Sequence, residues 1–124
     1  MFDRTAKGIL AIALVGACFT PSVPIPPPEP EKMAFDVDLE AGTAQFTYEP
    51  NPLYSNGVVY IFNRDQGVGV ITTARGDGSV PPTEPFAAVD GDQIVISIEL
   101  DMPLASTCVE LHQGRSSSEY ECAP

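Results

Sequence analysis

The chain has 124 residues, 17 of them acidic and six basic, for a formal net charge of −11. That balance excludes the basic face that nucleic-acid binding needs, and it disfavours electrostatic docking to anionic lipid. A single histidine and three cysteines are too few ligands for a four-coordinate zinc site once two of the cysteines pair.

The first element is "MFDRTAK", with Arg4 and Lys7 against Asp3, followed by an apolar run from Gly8 to Ala17. About ten apolar residues is half of the roughly 20 that a bilayer span needs. A basic lead-in, a short apolar core and small residues at the exit describe a cleavable secretory signal. The run ends in "VGAC" at residues 15–18, which resembles the bacterial lipobox: an aliphatic residue, two small ones, then cysteine. The resemblance implies diacylation of the Cys18 thiol, cleavage before it, and acylation of the new amino terminus. Each buried methylene contributes about 0.8 kcal/mol, so several chains hold a protein on a membrane where one is reversible. Residues 1–17 are therefore expected to be a lipoprotein signal peptide, and the protein to be membrane-attached through its lipid in a bacterial cell envelope. Phe19 follows the cysteine in place of the aspartate that promotes inner-membrane retention, so outer-membrane placement is expected.

Loss of Asp3, Arg4 and Lys7 with the signal leaves sixteen acidic and four basic residues, a net charge of −12. Solubility or a saline habitat accounts for such acidity without a cationic partner. The next stretch, "CFTPSVPIPPPEPEK" at 18–32, has six prolines and no apolar periodicity. It reads as a polyproline II tether of about 3.1 Å per residue. Residues 33–124 then form one small domain with room for a modest core.

In the domain "AFDVDLE" alternates, with Phe35, Val37 and Leu39 on one face and Asp36, Asp38 and Glu40 on the other. A turn at Ala41–Gly42 leads to "AQFTYE", which places Phe46 and Tyr48 together. "NPLYSNG" is turn chemistry, and "VVYIFN" from Val58 is β-branched and aromatic enough for a central strand. "RDQG" turns into "VGVITTA", and "RGDGS" turns again. "VPPTEPFAA" carries Pro81, Pro82 and Pro85, which cannot donate to a ladder and belong at an edge. "QIVISIELDM" is the clearest strand, with Ile94, Ile96, Ile98 and Leu100 facing one way. "STCVELHQ" sets Thr107, Val109 and Leu111 on one face, and "EYEC" closes the chain. Seven or eight short strands between turns indicate an all-β, antiparallel β-sandwich.

The order of strands and turns over roughly residues 43–101 resembles bacterial Ig-like modules of exported proteins. The likeness lies in an aliphatic strand ending in Asn63, a Thr-rich strand, the Asp77–Gly78–Ser79 turn, and the Gly91–Asp92 turn before the last aliphatic strand. It implies an Ig-like sandwich serving as a stalk, adhesive unit or interaction domain, and it carries no catalytic signature.

With Cys18 lipidated, Cys108 and Cys122 remain as an even pair, and in an oxidising envelope they are expected to form a disulfide. Closing their loop contributes about 3 kcal/mol in the entropic description. If Val109 and Leu111 face the core, Cys108 points outward, and the bridge clips the tail onto the outer face or edge. His112 beside Ser116, Ser117, Ser118 and Glu119 is a sequence neighbourhood rather than a converging triad, so no enzyme activity is expected. Asp65, Asp77, Asp90 and Asp92 all fall in turns, where they could serve a calcium- or glycan-binding surface, although aspartate is a turn former without any metal. Arg75–Gly76–Asp77 spells an adhesion tripeptide, but the turn already requires its aspartate. The expected function is thus a non-enzymatic, lipid-anchored interaction module, with an envelope or surface protein as its partner and no cofactor.

Overall fold

The computed structural model describes residues 24–101 and 103–124; the expected signal peptide at 1–17 and Cys18 lie outside the described residues. Eight strands follow one another: β1 (Met33–Asp38), β2 (Thr43–Tyr48), β3 (Val58–Asn63), β4 (Val68–Thr73), β5 (Phe86–Ala87), β6 (Gln93–Glu99), β7 (Leu104–Glu110) and β8 (Gly114–Arg115). Three single-turn 3-10 helices, η1 (Pro30–Lys32), η2 (Pro52–Tyr54) and η3 (Ser118–Tyr120), complete the described elements. The strands form two four-stranded sheets, ordered β5-β2-β1-β8 and β4-β3-β6-β7, with every pairing antiparallel. β8 extends the first sheet beyond β1 and β4 extends the second beyond β3, so the eight strands make an all-β, antiparallel sandwich.

The alternation that suggests the strands also fills the core. Val59, Ile61, Ile94, Ile96, Ile98 and Val109 are buried from one sheet. Facing them, Phe35, Phe46, Tyr48 and Tyr54 form a chain of rings with centroids 5.4, 6.4 and 5.9 Å apart. Fully burying each such side chain contributes about 1.5–3 kcal/mol, which makes this inter-sheet layer the main source of stability. The proline cluster behaves as an edge: β5 has two residues at the end of its sheet, and Val80 makes only an isolated bridge to Tyr48.

Two readings of the sequence are refined by the fold. The alternation from Phe35 was expected to run through Leu39, yet β1 stops at Asp38 and Leu39 is 84 % exposed. The Asp38 carboxylate accepts from the N–H groups of Glu40 and Ala41, and its carbonyl accepts from Gly42 N–H at 2.9 Å. Gly42 takes φ +67°, a conformation open to glycine, and the turn closes before Leu39 can face inward.

The second refinement concerns the proline-rich segment. Its last part is fastened to the sandwich: Pro28 and Pro30 are buried. The Pro26 carbonyl accepts from the Tyr54 hydroxyl, and the Pro28 carbonyl accepts from the Thr107 hydroxyl at 2.6 Å. Glu29 N–H donates to the Tyr48 hydroxyl at 2.9 Å. Prolines suit this role because their carbonyls remain free to accept while their rings pack. The strap bridges β7 of one sheet and the β1–β2 pair of the other.

The sandwich has two distinct ends. The η2 end gathers η2 and the loop from Ala74 to Val80, joined by Asn56 N–H to the Arg75 carbonyl. The opposite, Asn63 end gathers the turns after β1, β3, β5 and β7, joined by Ala88 N–H to the Gly42 carbonyl and Gly91 N–H to the Leu111 carbonyl.

Candidate functional site

Four of the sequence-selected positions belong to the turns. The structure brings Asp65, Asp90 and Asp92 to the Asn63 end and leaves Asp77 at the η2 end. At the Asn63 end the organising residue is Asn63 itself, fully buried at the last position of β3. Its amide nitrogen donates to Asp92 Oδ2 at 2.8 Å and to the Ala87 carbonyl at 3.0 Å. Its carbonyl oxygen accepts from the N–H groups of Asp65 and Gln66. Asp92 Oδ2 also accepts from Gln66 Nε2 at 2.9 Å and Val89 N–H at 3.0 Å. Burial opposes the charge on Asp92, but the hydrogen bonds from Asn63, Val89 and Gln66 outweigh it and hold the carboxyl below its usual range. Asp65 in turn accepts from Gln93 N–H at 2.7 Å. This network locks the β3–β4 turn onto the β5–β6 turn.

At the η2 end Asp77 Oδ1 accepts from the Ser79 hydroxyl at 2.6 Å and from Ser79 N–H at 2.9 Å, in that order lowering its pKa. Gly78 takes φ +81°, and a Cβ there would stand 1.7 Å from the Asn51 carbonyl oxygen. The tripeptide Arg75–Gly76–Asp77 is thus the exposed lip of a turn whose shape is set by Gly78 and Ser79. The carboxylates of Asp65, Asp77 and Asp92 already accept from the protein's own donors. Among the described residues no group of three or more metal-ligating side chains is arranged to hold an ion.

His112 lies two residues beyond the end of β7. Its Nδ1 is 3.2 Å from Asp90 Oδ1 and its Nε2 is 3.7 Å from Glu110 Oε2, while its ring packs on Tyr120 with centroids 4.4 Å apart. Of the nearby serines, Ser117 caps η3 through Glu119 N–H, and the Ser116 hydroxyl is buried with no hydrogen-bond partner. The imidazole is therefore engaged with two carboxylates and a phenol ring.

Cys108 and Cys122 form the expected disulfide, with Cα atoms 5.4 Å apart. Val109 and Leu111 are fully buried and Cys108 is half-buried on the other face of β7. Cys122 N–H donates to the Cys108 carbonyl at 2.9 Å, and Glu121 bridges Val109, so the tail runs along the outer edge of β7. Between the two cysteines, β8 pairs with β1 of the other sheet, and Ser118 N–H donates to Glu31 of η1. The covalent bond thus closes a clip that spans both sheets and touches the strap.

In comparisons with protein-family models, curated proteins and solved structures, nothing matches the chain.

Two surface features were not foreseen from sequence. On the outer face of β3 and β4, Tyr60, Phe62 and Ile71 border a shallow pocket of about 260 Å³, with Gly69 opposite Phe62 leaving the gap. Phe62 is 45 % and Ile71 69 % exposed. The alternation in "VVYIFN" carries the signal: Val59, Ile61 and Asn63 point inward, so Tyr60 and Phe62 must point out. At the Asn63 end, Asp36, Val37, Leu39, Asp90 and Gln113 line a second pocket of about 550 Å³.

Proposed function

We propose that the protein is a lipid-anchored component of a bacterial cell envelope whose Ig-like sandwich is a non-enzymatic structural or interaction module. The observation that carries this reading is the cysteine of "VGAC" at the exit of a short apolar run behind a basic lead-in. The Cys108–Cys122 bridge supports it, because a clip of this kind persists in an oxidising compartment and is reduced in a cytosol. The interaction half of the reading draws on the outer face of β3 and β4, where Tyr60, Phe62 and Ile71 present apolar area together.

The test is fractionation of cells expressing the full chain and a Cys18→Ser variant. The unmodified protein is expected in the membrane fraction, extracted by detergent and labelled by radioactive fatty acid. The variant is expected to be unlabelled and released to the aqueous phase. Equal distribution of both forms would refute the anchor.

A further inference from the structure

The four sheet edges are guarded unequally. An open edge offers a row of unpaired N–H and C=O groups, and folded proteins protect it with prolines, charges, brevity or cover. β5 has two residues and follows Pro81, Pro82 and Pro85, and β8 also has two residues. β7 is covered by the tail, through the Val109–Glu121 bridge and the disulfide. β4 has none of these guards. Its six residues, "VGVITT", carry no charge and no proline, and they end their sheet in an unbroken register with β3.

The open groups can be named. Ala74 N–H donates inward to the Gly57 carbonyl at 2.8 Å, and Arg64 N–H donates to the Gln93 carbonyl on the far side of β3. Hydrogen-bonding direction alternates along a strand, so Val68, Val70 and Thr72 face β3 while Gly69, Ile71 and Thr73 face the open edge. These three are exposed, and among the described residues no other segment bonds to their N–H or C=O groups. The row is symmetric about Ile71, which makes it complementary to itself. Antiparallel pairing about a two-fold axis at Ile71 sets Gly69 opposite Thr73 of a second copy, each pair exchanging two bonds. Tyr60 stands beside Ile71 on the outer face, so Tyr60 and Ile71 of one copy continue into Ile71 and Tyr60 of the other.

Charge favours the same occupant. A second copy brings 17 acidic residues against six basic, and β4 meets it with no carboxylate. In this register the exposed Arg75 of each copy falls beside the turn that carries the exposed Asp65 of the other.

We infer that the β4 edge is a homodimer interface, joining two sandwiches through one continuous eight-stranded sheet. The inference names the partner for the outer face on which the interaction reading above rests. It is tested without the acyl anchor, so that either can fail alone. The chain from residue 18 with Cys18→Ser, its disulfide intact, is followed by sedimentation equilibrium and amide hydrogen exchange over a concentration series. A monomer–dimer equilibrium is expected, with protection at Gly69, Ile71 and Thr73 rising several-fold with concentration while Val70 and Thr72 stay constant. Ile71→Lys, at a site 69 % exposed, sets two like charges on the axis and is expected to give a monomer with an unchanged circular dichroism spectrum. Ile71→Pro removes an outward donor without breaking a bond to β3 and is expected to give a monomer too. A single monomeric species up to millimolar concentration would overturn the inference and leave the edge to an extended segment of another protein. A dimer that survives both substitutions, or whose added protection falls outside β4, would overturn it as well.

Discussion

Asn63 shows how much one side chain can hold. It satisfies a buried carboxylate, a strand carbonyl and two turn N–H groups at once. Asn63→Ala leaves Asp92 buried with one donor fewer and should cost about 1–3 kcal/mol in urea denaturation at neutral pH. Asp92, Asp77 and Glu31 all have pKa values lowered in the folded state. Burial opposes the charge on Asp92 and its hydrogen bonds outweigh it; donors from Ser79 act on Asp77, and backbone N–H groups, Ser118 among them, act on Glu31. A lowered folded value means that the unfolded chain takes up the protons first. The stability they contribute is therefore complete above the unfolded carboxylate range of about 3.9–4.3 and is lost as pH falls through their folded values. Denaturation midpoints should be flat from pH 7 to 5 and drop below pH 4, with a shallower acid limb in Asn63→Ala. The turn aspartates predict no response to calcium. One oxygen each of Asp65, Asp77 and Asp92 already accepts from the protein's own donors, and no group of three or more metal-ligating side chains gathers among the described residues. Millimolar calcium should therefore leave the melting temperature unchanged, and a clear rise would favour a calcium-dependent surface.

Among the elements, those whose side-chain period is undisturbed were legible in advance. β6 buries every second residue from Ile94 to Ile98, and β3 does so from Val59 to Asn63, as their alternation implies. β1 was overextended because alternation cannot report where a turn begins; the Asp38 carboxylate and Gly42 decide that. The strap was read as a semi-rigid polyproline II tether because composition describes what a segment does alone. Its partners, the hydroxyls of Tyr54 and Thr107, lie 28 and 79 residues away and leave no local trace. The clip was legible, since cysteine parity and the facing of Val109 placed the bridge at an edge. Its contact with η1 through Glu31 and Ser118 was not. Strap and clip make separable predictions. Reducing the disulfide should lower stability by about 3 kcal/mol and speed hydrogen exchange first in β8 and its partner β1. Tyr54→Phe with Thr107→Val should cost about 1 kcal/mol for each lost hydrogen bond, and should expose residues 26–30 to proteolysis without reducing the bridge.

At the scale of the whole molecule, the proline-rich strap and the carboxy-terminal tail converge on one side of the sandwich. The strap enters there, the tail is clipped there, and η1 meets η3 there through Glu31 and Ser118. The outer face of β3 and β4 is left clear of both, with Tyr60, Phe62 and Ile71 available to a partner. All of it depends on what is attached at Cys18. Intact mass of the protein extracted by detergent from membranes is the most direct measurement. The account predicts a polypeptide beginning at Cys18, heavier than its sequence by a diacylglyceryl group and an amide-linked acyl chain and lighter by the two hydrogens of one disulfide. A species without fatty chains, or one whose amino terminus is any other residue, would contradict it.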